Sequence, residues 1–191
     1  MLTTPIRTKN EISSMKKYFL SGNEYRNYAL FVTGINTALR ISDLLQLKWR
    51  DVYDFKSQCF RSHIRLIEQK TDKHSCIMIN SNCKDALYLL MENIRPQSEN
   101  EYIFYSGKNR YNHISRNRAY HIIKKAADAA NLEGNISCHS LRKTFGYHAW
   151  RNGTPPALIM NIYNHSNIEI TKRYLSIDQD DRDEVFANLN L

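Results

Sequence analysis

The chain has 191 residues, of which 42% are hydrophobic and 24% charged, as is typical of a soluble globular protein with one well-packed core. No apolar run approaches the ~20 residues that span a bilayer, and residues 1–8 lack a signal-peptide stretch, so we expect a cytoplasmic protein with no membrane partner. The formal net charge of +8 favours a polyanionic partner such as nucleic acid, although on charge alone an ordinary basic protein is an equal interpretation.

Helices are predicted first along the chain. Apolar residues at spacings of three and four predict helices over 10–21 and 24–36. Ser42 and Asp43 are residue types that cap helices, and the apolar residues after them predict a further helix up to Trp49.

A β-hairpin is predicted next. Apolar and polar residues alternate over 60–66, which is typical of a half-buried strand. A polar turn over 71–74 and a return strand over 75–79 follow. Helical spacing resumes over 86–94, and residues 102–105 are predicted to form a short strand.

The last third of the chain is predicted to be helical. An apolar stripe rich in alanine predicts a helix over 116–130, and a second helix is predicted over 139–151. A short helix is predicted over 154–160, opened by a threonine cap and a first-turn proline. A last helix is predicted to begin at Ser166 and to carry Tyr174.

These elements together predict a mainly α fold with a small antiparallel β-sheet, in the α+β class. No repeat, low-complexity tract or Pro/Gly-rich linker divides the chain, so residues 1–191 are predicted to form a single domain. Residues 175–191 are an acidic tail, with five acidic side chains against one arginine, and they leave a net charge of +12 on residues 1–174.

The four cysteines are scattered and contain no Cys-x-x-Cys pair, a spacing that suits neither a zinc site nor a disulfide scaffold. We expect buried or half-buried thiols in a reducing cytosol. They are Cys59, Cys76, Cys83 and Cys138.

One ordered set of residues matches a defined chemical task. Transfer of a DNA phosphodiester without a metal needs a nucleophile, cations for the non-bridging oxygens, an acid for the leaving oxygen and a base for the nucleophile. Arginine suits phosphate because its planar fork donates two parallel hydrogen bonds and stays charged. In chain order the set is Thr37-Ala-Leu-Arg40-Ile-Ser-Asp43-Leu-Leu, Gln69-Lys70-Thr71, His139-Ser-Leu-Arg142-Lys-Thr-Phe, His165 and Tyr174.

From about residue 10 to its end the chain resembles the tyrosine recombinase (phage integrase) family. The active site of that family contains an Arg, a hairpin Lys, a His-x-x-Arg pair, a His and a Tyr. The resemblance implies the catalytic-domain fold of the family, with Asp43 as a support for the active site rather than a catalyst. The active-site residues that it implies are Arg40, Lys70, His139, Arg142, His165 and Tyr174.

The His-x-x-Arg motif is weak on its own, because it occurs three times in this chain. We prefer the pair of His139 and Arg142, since the residues around it match the family motif. Positions i and i+3 share one face of a helix, so both side chains can point at one phosphate. The other two pairs, in 113–116 and 148–151, are interpreted as solvated helix faces.

Tyr174 is one of 12 tyrosines, and its assignment depends on its position nine residues after His165. The chain departs from the family immediately before that histidine. Where the family usually has Leu-Gly-His, this chain has Tyr163-Asn164-His165. Asparagine tolerates left-handed backbone angles better than most residues, so we expect Asn164 to replace the glycine.

Two of the implied site residues have explicit alternatives. Arg40 could be a surface arginine paired with Asp43, but the string around it is a specific match to the family. Lys70 is preferred to Lys73 as the hairpin lysine, because Lys-Thr directly after the first strand matches the family pattern. Lys73 stays open as the alternative.

The resemblance implies site-specific recombination of double-stranded DNA by two strand exchanges through a Holliday junction, without a metal or nucleotide cofactor. Tyr174 would attack the scissile phosphate, giving a 3′-phosphotyrosine and a free 5′-hydroxyl. Arg40 and Arg142 would hold the non-bridging oxygens, and His165 would donate a further hydrogen bond.

Proton transfer and assembly follow from the same resemblance. Lys70 would protonate the leaving oxygen, and His139 would act as the base toward the nucleophile. Self-association on DNA as a tetramer is expected, with the tail over 175–191 packed on its own core or on a neighbouring protomer. The family usually carries a core-binding domain and sometimes an arm-binding domain, and neither is found here. The chain is therefore interpreted as a fragment of a longer integrase or as a short bacterial, phage or mobile-element recombinase.

Two other functions stay open from the sequence. A type IB topoisomerase uses similar catalytic residues and would relax supercoiled DNA without a specific sequence. A catalytically silent DNA-binding regulator would bind a specific sequence and form no covalent adduct.

Overall fold

The structure is a computed structural model that describes residues 3–169, 171, 186, 187 and 189. Its elements, in chain order, are α1 (Lys9–Ser21), α2 (Tyr25–Thr37), α3 (Ile41–Leu45), α4 (Trp49–Val52), β1 (Tyr53–Asp54), β2 (Cys59–Phe60), β3 (His63–Ile67), β4 (His74–Met78), α5 (Ser81–Ile94), β5 (Tyr105–Ser106), β6 (Asn109–His113), α6 (Arg116–Ala129), α7 (Cys138–Arg151) and α8 (Pro156–Ile162). The predicted class, mainly α with small antiparallel sheets, is confirmed.

Helix α2 lies at the centre of the core. Its residues 29–32 are completely buried, and the helix contacts α1, α5 and α7. Its C-cap is Ala38, whose φ of +58° is left-handed and turns the chain. Arg40 follows two residues later, at the start of α3.

Strands β3 and β4 form an antiparallel hairpin in which His63 faces Met78 and Ile67 faces His74. The hairpin is anchored by Ile64, which is completely buried in the core. Its turn over 68–73 carries the two candidate lysines. Anchored strands thus place a short polar turn at the protein surface.

A second, smaller apolar cluster joins α8 to α7. Ala38, Ile159 and Tyr163 are buried in it, and Phe145 and Trp150 pack against them. The cluster holds the segment after α8 against the face of α7 that carries Arg142.

The long amphipathic helices begin and end within a few residues of their predicted bounds. The predicted strand over 60–66 is wrong as a single element, because β2 pairs with β1 and β3 begins at His63. The helix predicted from a Ser42–Asp43 cap is also wrong in its bounds. The N-cap of α3 is Arg40, and the Asp43 carboxylate accepts the N–H of Gln69 instead of capping a helix.

Three further boundaries differ from the prediction. Helix α5 begins at Ser81, because the Asn80 side chain caps it by accepting the N–H of Cys83. Helix α8 begins at Pro156, one residue after the proline expected in its first turn. The strand predicted over 102–105 begins only at Tyr105 and pairs with β6.

The thiol prediction is half right. Cys83 is buried and Cys138 half-buried, but Cys59 and Cys76 are exposed, because they lie on the solvent faces of β2 and β4. All four are free thiols, and burial raises the pKa of Cys83 and Cys138 to about 12. In the described part of the chain, no helix has the length and apolarity to cross a membrane.

Candidate active site

A cleft of about 560 Å³ lies between the turn of the β3–β4 hairpin and the first turns of three helices, α3, α6 and α7. Four of the residues that line it are positively charged, and none of the described lining residues is acidic. The positive ends of the α6 and α7 dipoles add to this charge. Such a cleft suits a phosphate group. Its lining residues are Arg40, Ile41, Ser42, Gln69, Lys70, Arg116, Cys138, His139 and Arg142.

Arg40 lies at the edge of the cleft with 17% of its side chain exposed. Its Nη1 forms an ion pair with Oε2 of Glu68, a carboxylate that is 2% exposed. Arg40 therefore forms its ion pair with Glu68. The surface-arginine alternative had supposed a pair with Asp43 instead. A guanidinium has five N–H donors, so one bound edge leaves donors for a phosphate.

Arg142 is buried, and backbone carbonyls set its orientation. Its Nη1 donates to the carbonyl oxygen of Ala38, and its Nη2 donates to that of Tyr163 at 2.7 Å. Its guanidinium carbon lies 4.4 Å from the centroid of the Tyr163 ring, within cation–π distance. This arginine is held in place before any ligand binds.

His139 lies in the first turn of α7, three residues before Arg142 and lining the same cleft. Partial desolvation, and then the positive charges of Lys143, Arg142 and Arg40, lower the pKa of His139 below its ordinary value. The imidazole is therefore neutral at pH 7 and can accept a proton.

Lys70 and Lys73 are both exposed in the hairpin turn, but they differ in position. Lys70 lines the cleft, and Lys73 is not among the residues that do. Asp43 is buried behind the turn, where its Oδ1 accepts the N–H of Gln69 at 3.0 Å. Burial raises the pKa of Asp43, and the nearby Glu68 carboxylate adds to this. Asp43 thus fixes the backbone directly before Lys70.

The segment after α8 places His165 near the same charges. Asn164 has a φ of +53°, so the predicted left-handed asparagine is confirmed. Burial, followed by the charges of Arg142 and Arg40, lowers the pKa of His165 to about 4. Its Nδ1 lies 3.0 Å from the hydroxyl oxygen of Thr171.

The start of the last predicted helix is described in part. Residues 168, 169 and 171 are helical, and Oδ1 of Asn167 accepts the N–H of Glu169, one residue later than the predicted Ser166 cap. Tyr174 and most of the acidic tail lie outside the described residues.

Sequence reasoning missed two residues of this site. Glu68 has no motif of its own, and its partners come from distant segments. Arg116 was assigned to a solvated helix face, but it is the first residue of α6 and lines the cleft. Its position directly after a helix-capping serine was the available signal.

Comparison with known proteins decides the family. The sequence pattern of the phage integrase family matches residues 7–180. The chain belongs to this family. It is 42% identical over 179 residues to the probable integrase/recombinase YoeC of Bacillus subtilis, covering 94% of this chain and 92% of that protein.

Solved recombinases show the same fold. The crystal structure of XerA recombinase superimposes on 98% of this chain with a TM-score of 0.78 at 23% identity. The XerH site-specific recombinase, bound to its palindromic difH substrate, superimposes on the whole chain with a TM-score of 0.77 at 18% identity. The chain spans 65% and 54% of those two chains. These structures confirm the predicted catalytic-domain fold. The family match and the Bacillus subtilis relative confirm the predicted class of function, a tyrosine recombinase.

Proposed function

We propose that this phage integrase family member is a site-specific recombinase that binds double-stranded DNA with its scissile phosphate in the cationic cleft. The proposal depends on the convergence of four predicted catalytic side chains on one cleft. Arg40, Lys70, His139 and Arg142 come from three separate segments, yet all four line one cleft. Solvated surface charges would have no reason to meet in this way.

The phosphate would be held by two arginines whose side chains are fixed by different kinds of partner. Arg142 is fixed by two carbonyl oxygens, and Arg40 by one buried carboxylate. Both can donate to the non-bridging oxygens, where negative charge grows in the transition state. His165 adds a hydrogen bond as a neutral ring, in agreement with its lowered pKa of about 4.

The nucleophile in this proposal is Tyr174. Its phenolic oxygen forms a bond to phosphorus while the bond from phosphorus to the 5′-oxygen breaks, which leaves a 3′-phosphotyrosine and a 5′-hydroxyl. His139 takes the phenolic proton, and Lys70 gives a proton to the leaving oxygen. The covalent bond to tyrosine conserves the phosphodiester energy, so rejoining needs no nucleotide cofactor. Asp43 supports Lys70 through the turn backbone.

Recombination requires two strand exchanges, and we propose that four protomers assemble on paired DNA sites to perform them. The acidic tail over 175–191 is a candidate link between protomers. Chemical cross-linking on DNA, with and without the tail, tests this part of the proposal separately from cleavage.

The test of the reaction starts from a DNA site selected by binding of the full chain to a random-sequence duplex library. A nick near the selected site releases the short cleaved strand, so the covalent adduct is trapped. Wild type is expected to form a protein–DNA adduct, and Tyr174→Phe to form none while binding the site equally. Tyr111→Phe is the matched control, because Tyr111 is exposed on β6, and it should behave as wild type.

Each alternative function has its own outcome in this test. Adducts with both wild type and Tyr174→Phe would reject Tyr174 as the nucleophile. Specific binding without any adduct would favour a silent regulator. Relaxation of supercoiled plasmid that lacks the site would favour a topoisomerase.

A further inference from the structure

Glu68, the residue directly after β3, is a buried carboxylate with four side-chain partners. Besides the ion pair with Arg40, it accepts hydrogen bonds from Asn164 Nδ2 at 2.8 Å, Ser75 Oγ at 2.9 Å and Thr71 Oγ1 at 3.0 Å. Only 2% of Glu68 is exposed. Burial of a carboxylate is costly unless it is paired and hydrogen-bonded, and here both oxygens are bonded. So many partners indicate a connecting role.

The carboxylate connects three of the parts of the chain that carry candidate catalytic groups. Arg40 comes from the turn after α2, and Lys70 lies two residues after Glu68 in the hairpin turn. Asn164 is adjacent to His165 in the segment after α8. A shift of any one of these segments would break a bond to Glu68.

Asn164 contributes bonds that glycine, the usual family residue at this position, lacks. Its φ of +53° would suit glycine equally well. Its side-chain amide, however, donates to Oε1 of Glu68 and also lies 3.0 Å from the hydroxyl of Ser75 on β4. The asparagine therefore ties the segment of His165 to the hairpin that carries Lys70.

We propose that Glu68 and Asn164 are positioning residues for the strand-transfer reaction: Glu68 aims the guanidinium of Arg40, and Asn164 holds the Lys70 hairpin in register with His165. The inference rests on the proposed function. Burial by itself would raise the pKa of Glu68, but the hydrogen bonds from Asn164 and Ser75 and the charge of Arg40 together outweigh it and keep that pKa below its ordinary value. Glu68 is thus ionised at pH 7, as an ion pair with Arg40 requires.

The two residues act on different groups, so one pair of substrates separates them. The first is the nicked duplex described above, and the second carries sulfur in place of the 5′-bridging oxygen at the scissile position. When the phosphorus–sulfur bond breaks, the thiolate leaves with the electron pair and needs no proton. A defect in the general acid is therefore rescued by the sulfur substrate, and a defect in phosphate binding is not.

Asn164→Gly is expected to slow adduct formation by roughly 10- to 100-fold on the ordinary duplex, the range for a small displacement of a catalytic group. Most of that loss should be recovered on the sulfur substrate, because Asn164 acts through Lys70. Glu68→Gln should slow both substrates, because Arg40 loses its ionic partner. Asn164→Asp should be slower than Asn164→Gly, since it sets a carboxylate against Glu68.

The matched control is Asn131→Gly, because Asn131 also has a left-handed φ of +52° but lies exposed at the end of α6. It should react as wild type, and the Asn131 and Asn164 variants should bind the DNA site with the Kd of wild type. Equal rates for wild type and Asn164→Gly on both substrates would overturn the positioning role of Asn164 and leave the proposed function intact. No adduct from wild type would overturn both.

Discussion

Arg142 and Tyr163 form two reciprocal hydrogen bonds, each from the side chain of one residue to the backbone carbonyl oxygen of the other. Nη2 of Arg142 donates to the carbonyl oxygen of Tyr163 at 2.7 Å, and the Tyr163 hydroxyl donates to the carbonyl oxygen of Arg142 at 2.6 Å. Gly146, one turn along α7, lies directly against that hydroxyl, where a Cβ atom would clash. Tyr163 therefore fixes the orientation of Arg142, the arginine that we propose binds phosphate. Helix α7 needs a glycine at position 146 because a larger residue would overlap the Tyr163 hydroxyl.

Gly146→Ala is expected to destabilise the fold by about 1–3 kcal/mol, because the added methyl group overlaps the Tyr163 hydroxyl in a packed interior. Tyr163→Phe removes a buried hydroxyl donor and should cost about 1 kcal/mol. The double variant should lose less stability than the sum, since the phenylalanine ring no longer carries the clashing oxygen. Urea unfolding of the four proteins measures this coupling, and strict additivity would contradict the proposed clash.

Arg116 is expected to contact a DNA phosphate, because it lines the cleft beside the other cations. Arg116→Ala should reduce the slope of log K against log salt concentration by about 0.9, the value for one phosphate contact. Arg118→Ala is the control on the same helix; this side chain lies near Arg26 and does not line the cleft. Equal slopes for the Arg116 variant and wild type would exclude the contact.

The long helices could be predicted from sequence because their apolar stripes persist over three or more turns. The hairpin of β5 and β6 could not, since β6 reads Asn-Arg-Tyr-Asn-His and has no apolar alternation. Its strands also contact distant parts of the chain, as in the bond from Nη1 of Arg26 to the carbonyl oxygen of Tyr105 at 2.8 Å.

The candidate site likewise contains residues that the sequence predicts and residues that it does not. The family motif indicates Arg40, Lys70, His139 and Arg142, and these four line one cleft. Glu68 could not be found, because its partners Arg40 and Asn164 lie 28 and 96 positions away and no local pattern marks the bond. Residues defined by chemistry leave a motif in the sequence, whereas residues that position them are defined by the fold.

His165 predicts a pH dependence of stability. Its pKa of about 4 in the folded chain lies below the value of about 6.5 expected for an unfolded histidine. Above pH 6.5 both states are neutral and His165 contributes nothing. As the pH falls from 6.5 to 4, the unfolded chain takes up the proton first, so stability falls by at most about 1.4 kcal/mol per pH unit.

The measurement is the free energy of unfolding in urea at several pH values for wild type and His165→Gln. His139 also has a lowered pKa and acts in the same direction, so wild type alone does not isolate His165. The variant should show a smaller loss between pH 6.5 and 4. Parallel curves for the two proteins would show that His165 has an ordinary pKa.

The choice between Lys70 and Lys73 is a prediction about two exposed side chains in one turn. Lys70 lines the cleft, and the Asp43 carboxylate accepts the N–H of the residue before it, Gln69. Lys73 contributes its carbonyl oxygen, which accepts the N–H of Glu68. Lys70→Ala should therefore slow adduct formation by about 10²- to 10⁴-fold, the contribution of a general acid. Lys73→Ala should stay within about twofold of wild type, since its only described role is made by the backbone.

The sulfur-containing duplex sharpens this prediction. Loss of a general acid should be repaired by a leaving group that needs no proton, so Lys70→Ala should approach the wild-type rate on that substrate. A Lys70→Ala defect of equal size on both duplexes would show that the lysine binds phosphate instead of donating the proton. A large defect for Lys73→Ala, repaired by sulfur, would transfer the role to Lys73, and the turn would then have to rearrange on DNA to bring that side chain into the cleft.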